Sequence, residues 1–477
     1  MAVLENLEPK RVFRFFEELC GIPHGSGNTG AAADWLVSFA QERGLEYHRD
    51  ALNNVIIIME ASSGCEGKPA VILQGHTDMV CEKAPGCTLD MGRDALELTM
   101  DGDSIYAKGT TLGGDDGIAV AMAMAVLDAP PASHPRIEAV FTSDEEVGLI
   151  GAVGLDVSPL RGRMMLNIDS EVEGVFTVSC AGGATVKCTV PVIRESFEGS
   201  TLKITVGGLH GGHSGIDIVR QGGNANMLMG RVLAAVGGKT DMRLVSVSGG
   251  MKDNVIPQEC AAVVSASDAE AVSAVCAQME EIFRGEHRIS DPGVFVTVSG
   301  AEAALCMDAD STKRAVCLLV CSPNGVQAMS ADIHGLVQTS LNLGILSCGD
   351  SALSASFSVR SSVESQKAML IERLELLATQ LGGGIDVAGD YPGWEYAPES
   401  PLRDLMVQVY TEQYGHEPKI ETIHAGLECG IFSHKLPGLD CVSFGPNLTD
   451  IHTCREKMSI SSVQRVWAML TEVIARL

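Results

Sequence analysis

Short apolar runs alternate along the first third of the chain with longer segments of helical periodicity. The runs are rich in β-branched or aliphatic residues and are bounded by glycine, serine or asparagine, which predicts buried strands. They cover Asn54–Glu60, Ala70–Gln74, Ile137–Thr142 and Met164–Ile168. Strands separated by helices favour an α/β fold with a largely parallel sheet.

The segments between these runs have the spacing of helices. Pro9–Ala40 predicts two helices around a break at Ile22–Asn28. The N-terminal segment MAVLENLEPKRVFRFFEEL starts as an amphipathic helix, and Thr111–Leu127 predicts a glycine-rich turn followed by a helix of small residues. Ligand sites in such folds lie beyond the carboxyl ends of the parallel strands.

The pattern changes after about Val178, where alternating strands and further helices predict a second, α+β unit. Helical and strand-like patterns return from Pro401, with a final helix over Ile460–Leu477, and we expect them to rejoin the first unit. The resulting division is a catalytic domain over 1–183 and 390–477, with an inserted domain over 184–389. A faint echo among the strand patterns of the insertion hints at an internal duplication.

Composition narrows the class of protein. A chain of 477 residues exceeds the roughly 250–300 residues that one core supports, which agrees with two domains. The net charge of −27 disfavours nucleic acid and anionic membranes as partners. The 15 cysteines form no CxxC pair, and no signal peptide or long apolar segment is present, so we expect a cytoplasmic protein.

Acidic and imidazole side chains recur at the predicted strand ends. The set consists of His76, Asp78, Asp115, Asp116, Glu145, Glu146, Asp169 and, late in the chain, His452. So many carboxylates would repel one another without a countercharge. Two divalent cations would supply it, and nitrogen and carboxylate ligands suit zinc, manganese or cobalt.

The order of these residues predicts individual roles. Asp115 opens a helix after glycines and is placed to bridge two metals. His76 and Asp169 would complete one site, and Glu146 and His452 the other. Asp78 would accept the second imidazole proton of His76, which leaves Glu145 as a general base that takes a proton from the attacking water.

Each motif alone has an ordinary structural explanation. An HxD pair can be a satisfied structural pair, paired acids often start a solvated helix, and a late histidine can lie in a surface loop. The joint occurrence of these motifs at successive strand ends favours the metal hypothesis.

The motifs QGHTDMV, LGGDDG, TSDEEVGLIGA, NIDSE and DIHT resemble those of the dinuclear-zinc aminopeptidase, carboxypeptidase and deacylase clan. FFEELCGIPHGSGN, GLHGGHSGIDI and HAGLECGIF are similar to segments of the aminoacyl-histidine dipeptidases within it. The resemblance implies the same roles for the residues named above, with two zinc ions per subunit, or cobalt or manganese in their place. It also implies a cis peptide bond after Asp115 and an inserted lid domain that forms a homodimer.

The resemblance further implies contacts with a small peptide substrate. His213 matches a lid histidine that stabilises the substrate carbonyl, and Asn254 and Arg360 match positions that hold its terminal carboxylate. Glu428 would contact the amino group of the substrate or cap a helix, and His424, in the same motif, has the same two possibilities. The late motif departs from the family, because Cys454 replaces a proline in HTCRE; that proline does not bind metal.

The expected activity is metal-dependent hydrolysis of dipeptides with a free amino terminus, of the Xaa-His type and including carnosine-like peptides. Two hydrolase alternatives stay open, a broader aminoacyl dipeptidase and an amidohydrolase of N-acyl amino acids. A rival of another class is a catalytically silent metal-binding scaffold, which would not need the intact Glu145.

Overall fold

The computed structural model describes residues 3–477, so Met1 and Ala2 of the predicted N-terminal helix lie outside it. Helix α1 begins at Lys10, directly after Pro9, where the fixed φ of proline suits a helix start. The first part of the chain, up to residue 180, alternates helices and strands. They are α1 (Lys10–Cys20), α2 (Gly30–Arg43), β1 (Glu46–Arg49), β2 (Val55–Met59), β3 (Val71–His76), β4 (Leu98–Asp101), β5 (Ser104–Ala107), α3 (Gly114–Asp128), β6 (Ile137–Thr142), α4 (Ile150–Gly154), β7 (Met164–Asn167) and β8 (Val175–Cys180).

The middle of the chain consists mostly of antiparallel strands and of four α-helices, two of 13 residues and two of 17 and 18 residues. Its elements are β9 (Gly182–Pro191), β10 (Arg194–Glu195), β11 (Ser200–Gly207), β12 (Gly212–His213), α5 (Ala225–Gly237), β13 (Met242–Gly249), β14 (Val255–Ile256), β15 (Cys260–Ala266), α6 (Ala269–Glu286), β16 (Phe295–Gly300), β17 (Cys306–Met307), α7 (Ala309–Cys321), β18 (Gly325–Met329), β19 (Val337–Cys348), β20 (Ala352–Ser361), α8 (Glu364–Gln380) and β21 (Gly384–Tyr391).

The last stretch completes the first unit. Its elements are α9 (Pro401–Tyr414), β22 (Lys419–Ile423), α10 (Glu428–Lys435), β23 (Asp440–Ser443), β24 (Leu448–Thr449), β25 (Lys457–Ser459) and α11 (Ile460–Arg476). The described residues divide into two compact units. Unit 1 is the chain up to Ser179 with Tyr396–Thr422 and Leu427–Leu477, and unit 2 is Cys180–Glu395 with Ile423–Gly426.

The main sheet of unit 1 has the strand order β1-β2-β6-β3-β7-β23-β8-β22. The central pairs β6·β3, β3·β7 and β7·β23 are parallel, and the pairs toward β1 and β8 are antiparallel. The predicted mixed, largely parallel α/β sheet is therefore confirmed. Strand β23 comes from the last stretch of the chain, yet it lies beside β7 because its apolar run completes the buried centre of the sheet.

Helix α3 packs against β3 inside the core of unit 1. Its residues from Gly114 to Leu127 are all buried, which explains the small side chains of the predicted helix. Gly75 on β3 lies where a Cβ would come 2.5 Å from the Cβ of Ala119 and 2.6 Å from Oδ2 of Asp116. Glycine at this position lets strand and helix approach closely.

The sheet of unit 2 contains two copies of one topology. Strands β16-β11-β15-β13 form one half and β21-β9-β20-β19 form the other, each joined in the same way, with α5 and α6 in the first half and α7 and α8 in the second. The halves meet where Gly249 pairs with Leu346. The duplication indicated by the sequence is therefore present as topology, in which β9 of one half corresponds to β11 of the other.

Among residues 3–477, no helix is long and apolar enough to cross a membrane.

Candidate metal centre

The parallel strands of unit 1 bring the predicted residues to one edge of the sheet. Strand β3 ends at His76, whose register partner on β6 is Thr142, three residues before Glu145. Gln74 on β3 pairs with Asn167 on β7, two residues before Asp169. Parallel strands end at the same edge, so the three acidic and imidazole positions lie next to one another.

His76 is buried among carboxylates. Its Nε2 lies 3.3 Å from Oδ1 of Asp115 and 3.8 Å from Oδ1 of Asp169. Its Nδ1 lies 3.0 Å from the backbone oxygen of Asp78 and 3.5 Å from Oδ1 of the same residue. Burial lowers the pKa of His76, but the carboxylates of Asp115 and Asp78 raise it by more, so the pKa lies well above its ordinary value.

His452 lies on the other side of Asp115. Its Nε2 is 3.1 Å from Oδ2 of Asp115 and 2.8 Å from Oε1 of Glu146. These two carboxylates raise the pKa of His452 to about 10. The two oxygens of Asp115 therefore face two different histidines, which is the arrangement expected of an acid that bridges two cations.

Among the described residues, three groups of acidic and imidazole side chains have ligand atoms within 4.8 Å of one another. One is Asp115, Glu146 and His452, the predicted second site. The other two share His76, once with Asp116 and Asp169 and once with Glu145 and Glu146. Around His76, the geometry thus brings together more candidate ligands than a single cation needs.

The donor set and its electrostatics fit divalent cations. Burial, with neighbouring charges, raises the pKa of Glu145 to about 8 and that of Asp169 well above its ordinary value. Oε1 of Glu146 is buried at ion-pair distance from His452 but has no hydrogen bond among the described residues. Carboxylates crowded in this way must hold protons or a cation, and imidazole with carboxylate is a ligand set for zinc, cobalt or manganese.

Asp78 makes contacts beyond His76. Its carboxylate accepts the backbone N–H groups of Glu145 at 3.0 Å and Glu146 at 3.4 Å, and the Ser26 hydroxyl at 2.8 Å. Burial raises the pKa of Asp78, but His76 and these donors lower it by more, to below its ordinary value. The ionised group therefore orients the imidazole and also fixes the loop that carries both glutamates.

Asp116 received no role in the sequence analysis. Its Oδ2 accepts the backbone N–H of His76 at 3.2 Å, and burial raises its pKa well above the ordinary value. The peptide bond between Asp115 and Asp116 is cis, as the resemblance implies. The GGDDG motif indicated Asp115 as the bridging acid, but it did not indicate the contact of Asp116 with the backbone of His76.

Glu428 lies in a buried network of polar side chains. Its side chain is completely buried (0% exposed), and its Oε2 accepts from Nε2 of Gln74 at 2.5 Å and from the Thr142 hydroxyl at 2.7 Å. Gln74 in turn accepts from Nδ2 of Asn167 at 2.5 Å. Glu428 therefore ends a polar chain that links β3, β6 and β7, while its Oε1 makes no hydrogen bond among the described residues. Its predicted contact with a substrate stays a prediction.

The candidate substrate residues of unit 2 include a histidine of defined tautomer. Nδ1 of His213 accepts backbone N–H groups from Gly215 at 3.2 Å and Ile216 at 3.3 Å. Its proton therefore lies on Nε2, where it can be donated. Burial, helped by the positive charge of Arg360, lowers the pKa of His213, so the neutral donor form is favoured.

The other candidate substrate residues of unit 2 are Arg360, Asn254 and His424, and within residues 3–477 the guanidinium of Arg360 has a donor without a partner. Nη1 of Arg360 donates to the Tyr391 hydroxyl at 3.3 Å, while its buried Nε makes no hydrogen bond among the described residues. The backbone oxygen of Asn254 accepts from Ser214 at 2.8 Å. His424 is buried, with Nε2 2.8 Å from the Ser340 hydroxyl, and burial lowers its pKa to about 4.

Comparisons with known proteins agree with this arrangement. The model of peptidase family M20/M25/M40 matches residues 72–476. The chain is 35% identical over 481 residues to a cytosol non-specific dipeptidase from Escherichia coli strain K12, covering 99% of each chain. The structure is similar to an aminoacylhistidine dipeptidase from Vibrio alginolyticus, with a TM-score of 0.93, 36% identity and coverage of 99% of this chain and 98% of that one. An aminopeptidase PepT from Bacillus cereus, at 16% identity, covers 98% of both chains with a TM-score of 0.55 and shares the fold.

Proposed function

Because this chain belongs to peptidase family M20/M25/M40, we propose that it is a metal-dependent dipeptidase that acts on peptides with a free amino terminus. The observation that carries the proposal is Asp115, whose two oxygens lie 3.3 Å and 3.1 Å from the Nε2 atoms of His76 and His452. The names of the relatives from E. coli and V. alginolyticus, both dipeptidases, support the substrate class.

Two zinc ions are the proposed cofactors, with cobalt or manganese as replacements. His76, Asp115 and Asp169 would hold one ion, and Asp115, Glu146 and His452 would hold the other. When bound, such ions supply positive charge that polarises a carbonyl and makes water more acidic. The raised pKa values of the cluster and the contacts of His452 with Asp115 and Glu146 support this assignment.

Glu145 is the proposed general base. It is adjacent to Glu146, and its backbone N–H is held by Asp78, so the side chain has a fixed starting point near the cluster. Its carboxylate would take a proton from the attacking water and deliver it to the leaving amine. A pKa of about 8 without a cation means that a nearby positive charge would bring Glu145 into its basic form at neutral pH.

Unit 2 would bind the rest of the substrate. The Nε2–H of His213 would donate to the carbonyl oxygen as negative charge develops there. Arg360, with a buried and unbonded Nε, would bind the terminal carboxylate, since guanidinium matches a carboxylate in a forked geometry. Asn254 would assist through its amide.

The preferred substrate is proposed to be an Xaa-His dipeptide, carnosine-like peptides included. A broader dipeptidase is the second candidate, because the E. coli relative is called non-specific. We would assay the purified, zinc-loaded protein against Xaa-His dipeptides, other dipeptides, tripeptides and N-acyl amino acids. We expect hydrolysis of dipeptides with a free amine. Exclusive cleavage of N-acyl amino acids would contradict the proposal.

We also propose a homodimer formed through unit 2, in the cytoplasm. The sheet of unit 2 ends in the edge strands β16 and β21, whose unpaired backbone groups can extend a sheet into a second copy. The name of the E. coli relative supports the compartment. Sedimentation velocity would test the assembly, and a single monomeric species at micromolar concentration would contradict it.

A further inference from the structure

A buried acid follows the late histidine motif and binds the backbone of a distant loop. Glu456 is 3% exposed. Its Oε2 accepts the N–H groups of Leu112 at 2.8 Å and Gly113 at 3.1 Å, and its Oε1 accepts those of Gly114 at 2.8 Å and Asp115 at 3.4 Å. One carboxylate thus receives N–H groups from consecutive residues, an arrangement known from anion-binding backbone nests.

The glycines of this loop make the contact possible. Gly113 has a φ of +70°, in the left-handed region that favours glycine. A Cβ on Gly114 would lie 3.2 Å from Oε1 of Glu456 and 3.0 Å from Cδ2 of Leu448. Side chains at these two positions would therefore strain the loop or push the carboxylate away.

No Lys, Arg or His side chain of residues 3–477 forms an ion pair with Glu456. A buried carboxylate without a cation is a costly way to stabilise a loop. An apolar residue at this position would leave the backbone N–H groups of 112–115 without an acceptor, which is also costly. The carboxylate therefore holds the loop to its own segment through hydrogen bonds from consecutive backbone N–H groups.

The position that Glu456 fixes is that of Asp115. The loop presents Asp115 between two imidazoles, while the segment that carries Glu456 also carries His452 four residues earlier. The hydrogen bonds thus join the loop of the bridging acid to the segment of the second histidine. A shift between these two segments would alter both distances from Asp115.

We propose that Glu456 is a positioning residue of the metal centre, which acts by fixing Asp115 relative to His452. The inference rests on the proposed function, because it assigns Asp115 and His452 to metal binding. It predicts that Glu456 affects how metal is bound more than it affects the stability of the fold.

The experiment compares Glu456→Gln with the wild type and with Glu138→Gln. The amide at 456 keeps the size of the side chain but directs an NH₂ group at backbone donors. Glu138 is the control, because it is also buried in unit 1 and accepts backbone N–H groups from Arg161 and Gly162, near the opposite end of β6 from Thr142. Unlike Glu456, it also pairs with Arg136 at 2.8 Å, so its loss should affect mainly stability. The readouts are Co²⁺ affinity, the visible spectrum of bound Co²⁺, hydrogen exchange over 112–115, and melting temperature.

We expect Glu456→Gln to weaken Co²⁺ binding by about 10- to 100-fold, the usual effect of losing a group that orients a ligand. The Co²⁺ spectrum should change, and amides 112–115 of the metal-free protein should exchange faster. Glu138→Gln should lower the melting temperature and leave Co²⁺ affinity and spectrum unchanged. In dipeptide hydrolysis by Glu456→Gln, the fold decrease in kcat should exceed the fold increase in KM.

Wild-type Co²⁺ affinity and spectrum in Glu456→Gln would overturn the proposal, as would an equal loss of affinity in Glu138→Gln. If the glutamine variant does not fold, Glu456→Asp replaces it. Aspartate keeps the negative charge, but its shorter side chain moves the carboxylate away from the loop N–H groups. Wild-type Co²⁺ affinity in this variant would again contradict the proposal. A wild-type protein that binds Co²⁺ but cleaves no dipeptide would refute the proposed function, while the Co²⁺ comparison would still decide the role of Glu456.

Discussion

At the scale of single residues, the cluster is defined by which atoms face each other. Asp115 faces His76 with one oxygen and His452 with the other, and Asp78 holds both His76 and the backbone of Glu145. Each of these side chains has a partner on a different segment of the chain. Their functions are therefore separable by single substitutions.

Replacement of Glu145 separates catalysis from metal binding. We expect Glu145→Gln to lower kcat by at least about 10²–10⁴-fold, the contribution typical of a general base, while both metals stay bound. Turnover on a dipeptide and metal content by emission spectrometry would be measured together. Glu66→Gln, in an exposed loop, is the control. A fully loaded Glu145→Gln enzyme with wild-type turnover would exclude the role.

The raised pKa values predict that metal binding releases protons. At neutral pH the metal-free protein holds protons on His452, with a pKa of about 10, and on Glu145, with a pKa of about 8. Ligands bind metal in their deprotonated form, so apparent zinc affinity should rise with pH until it passes the pKa of about 10 of His452. Calorimetry in buffers of different ionisation enthalpy would count the protons. His452→Ala should release fewer, and an affinity independent of pH would contradict the explanation.

Sequence patterns carried much of the information at this scale. Acids and histidines directly after apolar runs indicated the cluster because strand ends meet at one edge of the sheet. The same patterns indicated Asp115 as the bridging acid but gave no role to Asp116, because its contact with the backbone of His76 depends on how closely α3 approaches β3. The contacts of Glu428 with Gln74 and Thr142 could not be predicted, because these partners lie more than 280 residues away in the sequence.

At the scale of elements, the cluster depends on strands that are joined beneath it. Asn167 on β7 donates to Gln74 on β3, and Gln74 and Thr142 on β6 both donate to Glu428 at the start of α10. The bonds are formed by residues two or three positions before the candidate ligands. The strand ends are thus held in register at the point where the ligands leave them.

The approach of α3 to β3 gives a test at this scale. A methyl group at position 75 would collide with Ala119 and Asp116, so we expect Gly75→Ala to cost roughly 1–3 kcal/mol of unfolding free energy. It should also weaken zinc binding, because Asp116 contacts the backbone of His76. Denaturant unfolding and zinc titration would measure both. Gly67→Ala is the control, since nothing lies within 4 Å of its Cβ position; equal behaviour of the two variants would contradict the packing argument.

Elements with strong patterns were the predictable ones. The buried strands β2, β3, β6 and β7 coincide closely with the apolar runs, because a strand covered on both faces has no polar alternation to obscure it. The exposed edge strand β21 lacks such a run and was not predicted. The position of β23 between β7 and β8 follows from tertiary packing, which local sequence does not encode.

At the scale of the whole molecule, charge and metal binding are coupled. The chain has a net charge of −27, and several of its acids converge on the cluster. Removing cations should therefore leave unbalanced repulsion in unit 1.

We expect chelation to abolish activity and to lower the melting temperature, and zinc, cobalt or manganese to restore both. A ligand that binds only the folded state at a hundredfold excess over its Kd adds about 2.7 kcal/mol of stability. Differential scanning calorimetry with and without chelator would measure the shift, and sodium chloride at matched ionic strength is the control. Activity that survives exhaustive chelation would contradict the account.

The most direct test of the central claim is the location of the metals themselves. Anomalous diffraction at the zinc edge from crystals of the zinc-loaded protein should show a pair of peaks on either side of the Asp115 carboxylate. One peak should lie beside His76 and Asp169, and the other beside Glu146 and His452. Peaks elsewhere in the chain, or none at Asp115, would contradict the account.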